Sequence, residues 1–226
     1  MVTPILLYHH IGTSPTNSQY YITPEEFEKQ MQLLRSWGYT SITTSTLINA
    51  IHHGADLPPR PIIITFDDGN LDNYTTAFPI MQQYQLVGVL YLVGNYLNAK
   101  NFMNIEQAKE MLEAGWEIGS HTMNHYDLLK LTEDQKRIEI AGSRSFLEDE
   151  FGLPILTIAY PFGEYDCGIM NAAYSAGYLA GMGLGASSDQ HRYDLFALHR
   201  FAIKATYDLQ RFSQFLPWQG ELTIPH

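Results

Sequence analysis

The sequence predicts an α/β protein, an irregular (β/α) barrel of about seven to eight parallel strands. Two observations lead to this fold class. Short segments rich in β-branched or aromatic residues alternate with helical segments along the chain. Several of them are apolar on both faces, as is typical of parallel strands that helices cover. The strand-like segments are, in order, PILLYHH, YTSIT, PIIITF, VGVLYLVG, WEIGSH, LTIAYPFG, LAGMGLGA and LHRFAIKA.

The helical segments between these strands have recognisable ends. Thr23 and Glu26 have the spacing of a capping box, with Pro24 in the first turn. Thr132 and Gln135 repeat the capping-box spacing. Glycines stand where helices are expected to end, at Gly38, Gly54, Gly115 and Gly152.

The composition favours one domain that covers residues 1–226. The chain has 226 residues, of which 45% are hydrophobic, so it can bury one sizeable core, and no stretch has the composition of a linker. The 24 acidic residues outnumber the 13 basic ones, and the net charge of −11 opposes binding to nucleic acid or to an anionic membrane surface. No apolar run approaches the roughly 20 residues of a membrane helix, so we expect no integral membrane segment. A single cysteine, Cys167, excludes an intrachain disulfide framework.

The motif TFDDG, Thr65 to Gly69, directly follows the apolar run Pro61 to Ile64. Two adjacent carboxylates would lose hydration and repel each other if a buried strand continued through them. The strand is therefore expected to end here, with Gly69 allowing the turn. The motif indicates either an ordinary turn with a helix cap or a pair of functional carboxylates.

The motif SHTMNH, Ser120 to His125, follows the strand-like segment WEIG. A spacing of four residues predicts that His121 and His125 share one face of a helical turn, where they can bind a divalent metal. A surface histidine pair is the alternative. Position 122 is Thr, so the His-Glu-x-x-His pattern is absent and any general base must come from elsewhere. TFDDG can supply both that base and a third metal ligand.

The segment AYPFG, Ala159 to Gly163, is a third place where a predicted strand ends. Its proline and glycine indicate a turn, and by itself the segment says nothing more.

TFDDG, SHTMNH and YPFG, in this order, resemble the first three signatures of the polysaccharide deacetylases of carbohydrate esterase family 4, the NodB-homology domain. The N-terminal Tyr8-His9-His10 and the segment ITPEEFEKQMQLLRSWGY resemble the branch that deacetylates poly-β-1,6-N-acetylglucosamine. In that branch the barrel is circularly permuted, so the histidine usually found near the C-terminus arrives on the first strand. The resemblance implies a NodB-like barrel, related to the TIM barrel.

The resemblance also implies a metal site. Asp68, His121 and His125 would bind one divalent ion and leave positions open for water and the substrate carbonyl. Zinc is the first expectation, and cobalt, nickel and iron suit the same ligands.

Further residues would carry the hydrolysis. By the resemblance, Asp67 would accept the proton of the attacking water, and the backbone N–H of Phe162 would stabilise the oxyanion. His9, directly after Tyr8, matches the acid that protonates the departing amine. Because side chains alternate along a strand, His10 is expected on the opposite side, as a structural or flanking residue.

The sequence departs from the family at Ala159, where most members carry an arginine that orients the base. Arg200, in LHRFAI, could reach the mouth of the barrel and replace it, with a surface ion pair as the alternative. The resemblance assigns substrate contacts to Tyr160 and Leu128. Leu128 matches a leucine that lines the acetyl-methyl pocket, and ordinary core packing is its alternative.

Together these features predict a metal-dependent hydrolase that removes N-acetyl groups from a β-linked N-acetylglucosamine polymer and releases acetate. Poly-β-1,6-N-acetylglucosamine, peptidoglycan and chito-oligosaccharides are all candidate substrates. An O-acetyl esterase acting on acetylated polysaccharide and a non-catalytic carbohydrate-binding relative are the alternatives. Because such polymers lie outside the membrane, we expect a secreted or envelope-associated protein, although no signal is visible and a cytoplasmic location stays open.

Overall fold

The computed structural model describes residues 1–221 and contains a curled parallel sheet of eight strands. Seven strands follow one another in the order β10-β1-β5-β6-β7-β8-β9, and β4 pairs with the beginning of β5. A separate two-stranded parallel sheet joins β2 and β3. The strands are β1 (Ile5–Tyr8), β2 (His10–Ile11), β3 (Tyr21–Ile22), β4 (Thr40–Ser41), β5 (Pro61–Asp68), β6 (Val89–Leu92), β7 (Glu117–Ser120), β8 (Thr157–Ala159), β9 (Ala180–Met182) and β10 (Phe201–Ala202).

Backbone hydrogen bonds connect the two ends of this sheet. Leu198 N donates to Gly181 O at 2.9 Å, and Gly183 N donates to Leu198 O at 3.0 Å. Two residues further along each segment, Gly185 N donates to Arg200 O at 3.1 Å. The segment that leads into β10 therefore pairs with the end of β9, while β10 itself pairs with β1. The predicted irregular (β/α) barrel is confirmed.

Helices lie between the strands, with the ends that the sequence predicts. They are α1 (Pro24–Ser36), α2 (Thr44–His53), α3 (Phe78–Gln83), α4 (Ile105–Glu113), α5 (Glu133–Arg137), α6 (Ser143–Phe151), α7 (Cys167–Ser175) and α8 (Leu209–Ser213). The Thr23 side chain caps α1 by accepting from Glu26 N, and Thr132 and Gln135 form a reciprocal capping box on α5. The four expected stop glycines all have positive φ, between 67° and 90°. Two π-helical segments, Asn73–Ala77 and Ile138–Gly142, precede α3 and join α5 to α6.

The strand β5 separates the two parts of the core. Ile62, Ile64 and Phe66 belong to the cluster between the sheet and the helices, whereas Ile63 belongs to a second cluster inside the barrel. Because side chains alternate along a strand, Thr65 and Asp67 share the inner face with Ile63. The alternation thus directs Asp67 into the barrel.

Within the part of the chain that the structure describes, no helix has the length and apolar character needed to cross a bilayer.

Glu117, at the start of β7, has its carboxyl group buried against the first turn of α2. Its Oε2 accepts from Ser45 N at 2.9 Å, and its Oε1 is buried without a hydrogen-bond partner. Burial raises the pKa of this carboxyl above its ordinary value, and hydrogen bonds from Ser45 only partly oppose the rise. The charged form therefore costs stability in the folded state.

We expect the substitution Glu117→Gln to change how stability depends on pH. In the wild type, the contribution of the protonated carboxyl is fully present below the ordinary pKa and is lost as the pH rises through the raised pKa. The glutamine cannot ionise, so the free energy of unfolding of the variant relative to the wild type should increase between about pH 4 and about pH 7.5. Urea denaturation at both pH values measures it. Glu113→Gln, on the exposed end of α4, is the matched control, and a constant difference for Glu117→Gln would contradict the expectation.

Candidate active site

A cavity of about 420 Å³ opens at the C-terminal ends of the strands, the end of the barrel where the βα loops meet. Of the nine predicted site residues, seven line it: His9, Asp67, Asp68, His121, His125, Phe162 and Arg200. The segment 18–21, Leu184 and Lys204 also contribute to the wall. Motifs that are far apart in the sequence therefore meet in one place.

Asp68, His121 and His125 form a compact group of potential metal ligands, with all candidate ligand atoms within 4.8 Å of one another. His121 Nε2 lies 3.6 Å and His125 Nε2 lies 3.5 Å from Asp68 Oδ1. A divalent ion with tetrahedral ligands at about 2.1 Å holds those ligand atoms about 3.4 Å apart. The spacing of the three side chains therefore fits a metal ion.

The hydrogen bonds around these side chains support the same interpretation. Asp68 Oδ1 is buried without a hydrogen-bond partner, which is costly unless a cation binds there. His121 Nδ1 lies 2.7 Å from Ala159 O, and since a carbonyl can only accept, Nδ1 carries the proton and leaves the Nε2 lone pair free. Burial lowers the pKa of His121 and so favours the neutral ring, although Asp67 and Asp68 oppose the shift.

The predicted helical turn around the two histidines is wrong. β7 ends at Ser120, and residues 121–127 form an irregular loop in which Thr122 has a φ of 69°. The buried carboxylate of Glu139 holds this loop by accepting from Met123 N at 3.1 Å and from Asn124 N at 2.8 Å. The loop still brings the two imidazole rings to 4.8 Å between centroids. The predicted proximity is therefore present, but a carboxylate rather than a helix provides it.

Three residues of this site have strained backbone conformations. Asp68, His125 and Phe162 have φ values of 76°, 59° and 61°, in a region that residues with a Cβ rarely adopt. Such conformations cost on the order of 1–3 kcal/mol each and persist where the surrounding structure enforces them. All three residues line the cavity.

Asp67 is paired with Arg200 inside the barrel, and both side chains are almost fully buried. Arg200 Nη1 donates to Asp67 Oδ1 at 2.6 Å and Nη2 donates to Oδ2 at 2.9 Å, a bidentate pair. Burial alone would raise the pKa of Asp67, but the charge of Arg200 and its hydrogen bonds oppose this and hold that pKa below its ordinary value. Arg200 thus contacts the predicted base directly and is not part of a surface ion pair, and its replacement of the arginine missing at Ala159 stays a prediction.

His9 lies between β1 and β2, with its ring 4.7 Å from the ring of Tyr20. Burial lowers the pKa of His9, and the nearby carboxylates of Asp67 and Asp68 oppose this shift. His9 therefore shares the cavity with the proposed base and the metal ligands.

His10 also reaches the cavity wall, although its main contacts lie behind it. Its Nδ1 lies 2.8 Å from Asp72 Oδ2, and its ring stacks on Tyr21 with centroids 3.9 Å apart. The expectation that His10 lies on the opposite side from His9 is wrong, because β1 ends at Tyr8 and β2 begins at His10, so both residues line the same cavity. Sequence reasoning also missed the partner Asp72. A signal was available, because Asp72 belongs to the polar run that follows TFDDG.

Phe162 stands at the end of β8 with its ring 58% exposed and packed edge-on to His125, 4.8 Å between centroids. Phe162 directly follows Pro161, and the positive φ of Phe162 turns the chain sharply at the cavity. A backbone N–H at this turn can stabilise negative charge in the cavity, which is the role predicted from the resemblance.

The two predicted substrate contacts are not on the cavity wall. Tyr160 is fully buried, and its hydroxyl donates to Phe196 O at 3.0 Å. The residue directly follows β8 and its ring packs in the main hydrophobic cluster, so its side chain does not reach the cavity and its substrate role stays a prediction. Leu128 also lies in that cluster and does not line the cavity. This is the core packing that was the alternative for Leu128.

Comparison with known proteins identifies the family. A family model described as polysaccharide deacetylase matches residues 54–181. YxkH of Bacillus subtilis (strain 168), provisionally named a polysaccharide deacetylase, is 30% identical over 200 residues, which cover 88% of this chain and 71% of that protein.

Two further proteins extend the comparison. The poly-beta-1,6-N-acetyl-D-glucosamine N-deacetylase of Staphylococcus epidermidis is 28% identical over 158 residues, 64% of this chain and 54% of that enzyme. The chain thus spans about half the length of the staphylococcal enzyme. The structure of the Streptococcus pyogenes deacetylase PplD in complex with acetate superposes with a TM-score of 0.87 at 25% identity, covering 95% of this chain and 97% of PplD.

The family model spans more than half of the chain and includes the strand ends that carry Asp67, Asp68, His121, His125 and Phe162. This chain therefore belongs to the polysaccharide deacetylases, a family of metal-dependent hydrolases that remove acetyl groups from carbohydrate polymers.

Proposed function

We propose that this protein removes N-acetyl groups from a β-linked N-acetylglucosamine polymer, with the β-1,6-linked polymer as the first candidate. The observation that carries the proposal is the meeting of a bidentate Asp67–Arg200 pair with the Asp68, His121 and His125 group in one cavity. The staphylococcal relative, named for its action on poly-β-1,6-N-acetyl-D-glucosamine, supports the choice of linkage. Since such polymers lie outside the membrane, we place the activity at the cell envelope or beyond it.

The metal would be held by Asp68, His121 and His125. A divalent ion bound there would polarise the acetamide carbonyl and lower the pKa of a water molecule to about 7. One acidic and two imidazole ligands suit zinc first, and cobalt, nickel or iron would compete according to availability.

Asp67 would accept the proton of the attacking water. Arg200 keeps this carboxylate ionised and fixes its plane, and Asp67 Oδ2 lies 3.7 Å from His121 Nε2, so it faces the ligand group. The backbone N–H of Phe162 would donate to the oxyanion, and a donor of this kind contributes on the order of 3 kcal/mol.

His9 would complete the reaction by donating a proton to the departing nitrogen as its bond to the acetyl carbon breaks. The carboxylates of Asp67 and Asp68 favour the protonated form of His9 that this step needs, against the burial that lowers its pKa. The water oxygen ends in acetate and the sugar keeps a free amine, so the step balances without another reactant. The paired, buried base argues against a domain that only binds carbohydrate, because such a domain would have no use for it.

Acetate release should separate this function from its alternatives. We expect purified protein, stripped of metal and reloaded with zinc, to release acetate from N-acetylglucosamine oligomers, and Asp67→Asn to lower kcat by about 10²-fold or more because the base is lost. Comparing β-1,4 with β-1,6 oligomers measures the linkage preference. Faster turnover of an acetylated xylan would assign an O-acetyl esterase instead, and bound oligomer without any acetate would assign a binding role.

Zinc should stabilise the metal-free protein. With zinc at 100 times its dissociation constant, we expect about 2.7 kcal/mol of stabilisation, or a rise in Tm of about 5–10 °C for a chain of this size. The shift should be lost in Asp68→Asn and His125→Ala, and kept in His53→Ala, which removes an exposed histidine of α2. An undiminished shift in His125→Ala would contradict the ligand assignment.

Replacing Arg200 should affect both stability and catalysis. In Arg200→Met the buried carboxylate of Asp67 loses its partner, which should cost about 3–5 kcal/mol in urea unfolding. Loss of orientation should lower kcat/KM by about 10²-fold. Arg192→Met, an exposed arginine, is the control. Full activity in folded Arg200→Met would show that the base needs no such support.

A further inference from the structure

The peptide carbonyl of His9 is held by two buried asparagines. Asn73 Nδ2 donates to His9 O at 2.7 Å, and Asn70 Nδ2 donates to the same oxygen at 3.2 Å. Asn73 is fully buried and Asn70 is 4% exposed. His9 lies between β1 and β2 and belongs to neither strand. Its carbonyl is therefore bound by these two asparagine side chains.

The same short loop also holds the residues that follow His9. Asp72 Oδ1 accepts from Ile11 N at 3.3 Å, while its Oδ2 lies 2.8 Å from His10 Nδ1. Asn73 Nδ2 is also 3.1 Å from Asp72 Oδ1, which links the two anchoring side chains. Residues 70–73 therefore bind the chain through side-chain contacts on both sides of the His9–His10 peptide.

This loop begins two residues after the metal ligand Asp68, with only Gly69 between them. Any shift of the loop would move the anchor of His9 together with Asp67 and Asp68. Two hydrogen bonds and a few residues of backbone therefore connect His9, the proposed acid, to Asp67, the proposed base, and to the ligand Asp68.

Simple satisfaction of a buried carbonyl does not account for this arrangement. One donor is enough to satisfy a carbonyl oxygen, yet two side chains converge on His9 O. Asn73 Oδ1 is buried without a hydrogen-bond partner, and burying such a group costs about 1–3 kcal/mol. A residue kept at that cost is expected to serve a purpose other than stability.

We infer that Asn73, assisted by Asn70, is a positioning residue that fixes His9 relative to the base and the metal ligands. The inference rests on the proposed function, because the acid role of His9 belongs to it. A misplacement of about 1 Å in a reacting group can cost 10²-fold in rate, so loss of the anchor should reduce the steps that need the acid.

Two substrates distinguish a misplaced acid from a general defect. The amine of an acetamide substrate must be protonated to leave, whereas 4-nitrophenolate leaves 4-nitrophenyl acetate as an anion without a proton. For Asn73→Ala we expect kcat on N-acetylglucosamine oligomers to fall by about 10- to 100-fold, with KM and the ester kcat changed by less than about 3-fold. His9→Ala should show the same selective loss, and the double variant should lose no more than His9→Ala alone.

Asn104→Ala is the matched control, because it also removes an asparagine whose side chain binds the backbone, in this case by accepting from Gln107 N at the start of α4. It should lower Tm without changing the ratio of amide to ester rates. If Asn73→Ala does not fold, Asn70→Ala carries the same test with a smaller expected loss. Equal losses on amide and ester, or additive losses in the double variant, would overturn the inference.

A crystal structure of Asn73→Ala gives a second readout that does not depend on turnover. We expect the His9 ring to be displaced or disordered while Asp68, His121 and His125 keep their positions. If the wild type hydrolyses no acetamide, the proposed function fails, and this comparison still decides the inference. A His9 ring in the wild-type position would overturn it.

Discussion

The buried pair between Asp67 and Arg200 is the interaction on which the rest of the structure depends. It joins β5, an inner strand of the sheet, to the segment that closes the barrel before β10. Arg200 also donates from Nε to Gly183 O at 3.2 Å, and its guanidinium lies 5.4 Å from the centre of the Tyr91 ring. One side chain thus binds β5 and the end of β9, and packs against β6. Since a buried ion pair gains little net stability over apolar packing, its presence inside the barrel is better explained by what it does to Asp67.

The metal-ligand group depends on strain that other residues maintain. Positive φ at Asp68 and His125 is unfavourable by itself, and it is balanced by bonds that the local sequence does not provide. Glu139 holds the loop between the two histidines, and Ala159 O fixes the ring of His121. The two histidine ligands therefore stand on a loop whose shape comes from the π-helical segment between α5 and α6 and from β8, which explains how an irregular segment can be rigid enough to bind a metal.

Local patterns predicted much of the fold and part of the site. The apolar run before TFDDG placed Asp67 and Asp68 at a strand end, and helix caps and stop glycines were correct at the residues named. The proximity of the two histidines was anticipated but attributed to a helix, because the contact with Glu139 spans 15 or more residues and leaves no local pattern. Tyr160 was assigned to substrate from the family resemblance, whereas its ring packs in the main hydrophobic cluster just after β8. The anchoring of His9 O joins residues more than 60 positions apart, beyond the reach of any local pattern.

The adjacent pairs Asp67–Asp68 and His9–His10 pose the same physical problem, since neighbouring side chains on a regular strand point to opposite faces. At Asp68 the chain solves it with a φ of 76°, and both carboxylates then come within 3.7 Å of His121 Nε2. At His9 the chain solves it by leaving β1 after Tyr8 and starting β2 at His10, so that both rings line the cavity. In each case a regular strand ends between the two residues or at the second one, and the lost regularity is compensated by side-chain bonds. The distinct environments that result, Arg200 for Asp67 and the ligand group for Asp68, are what allow two neighbouring carboxylates to take different roles.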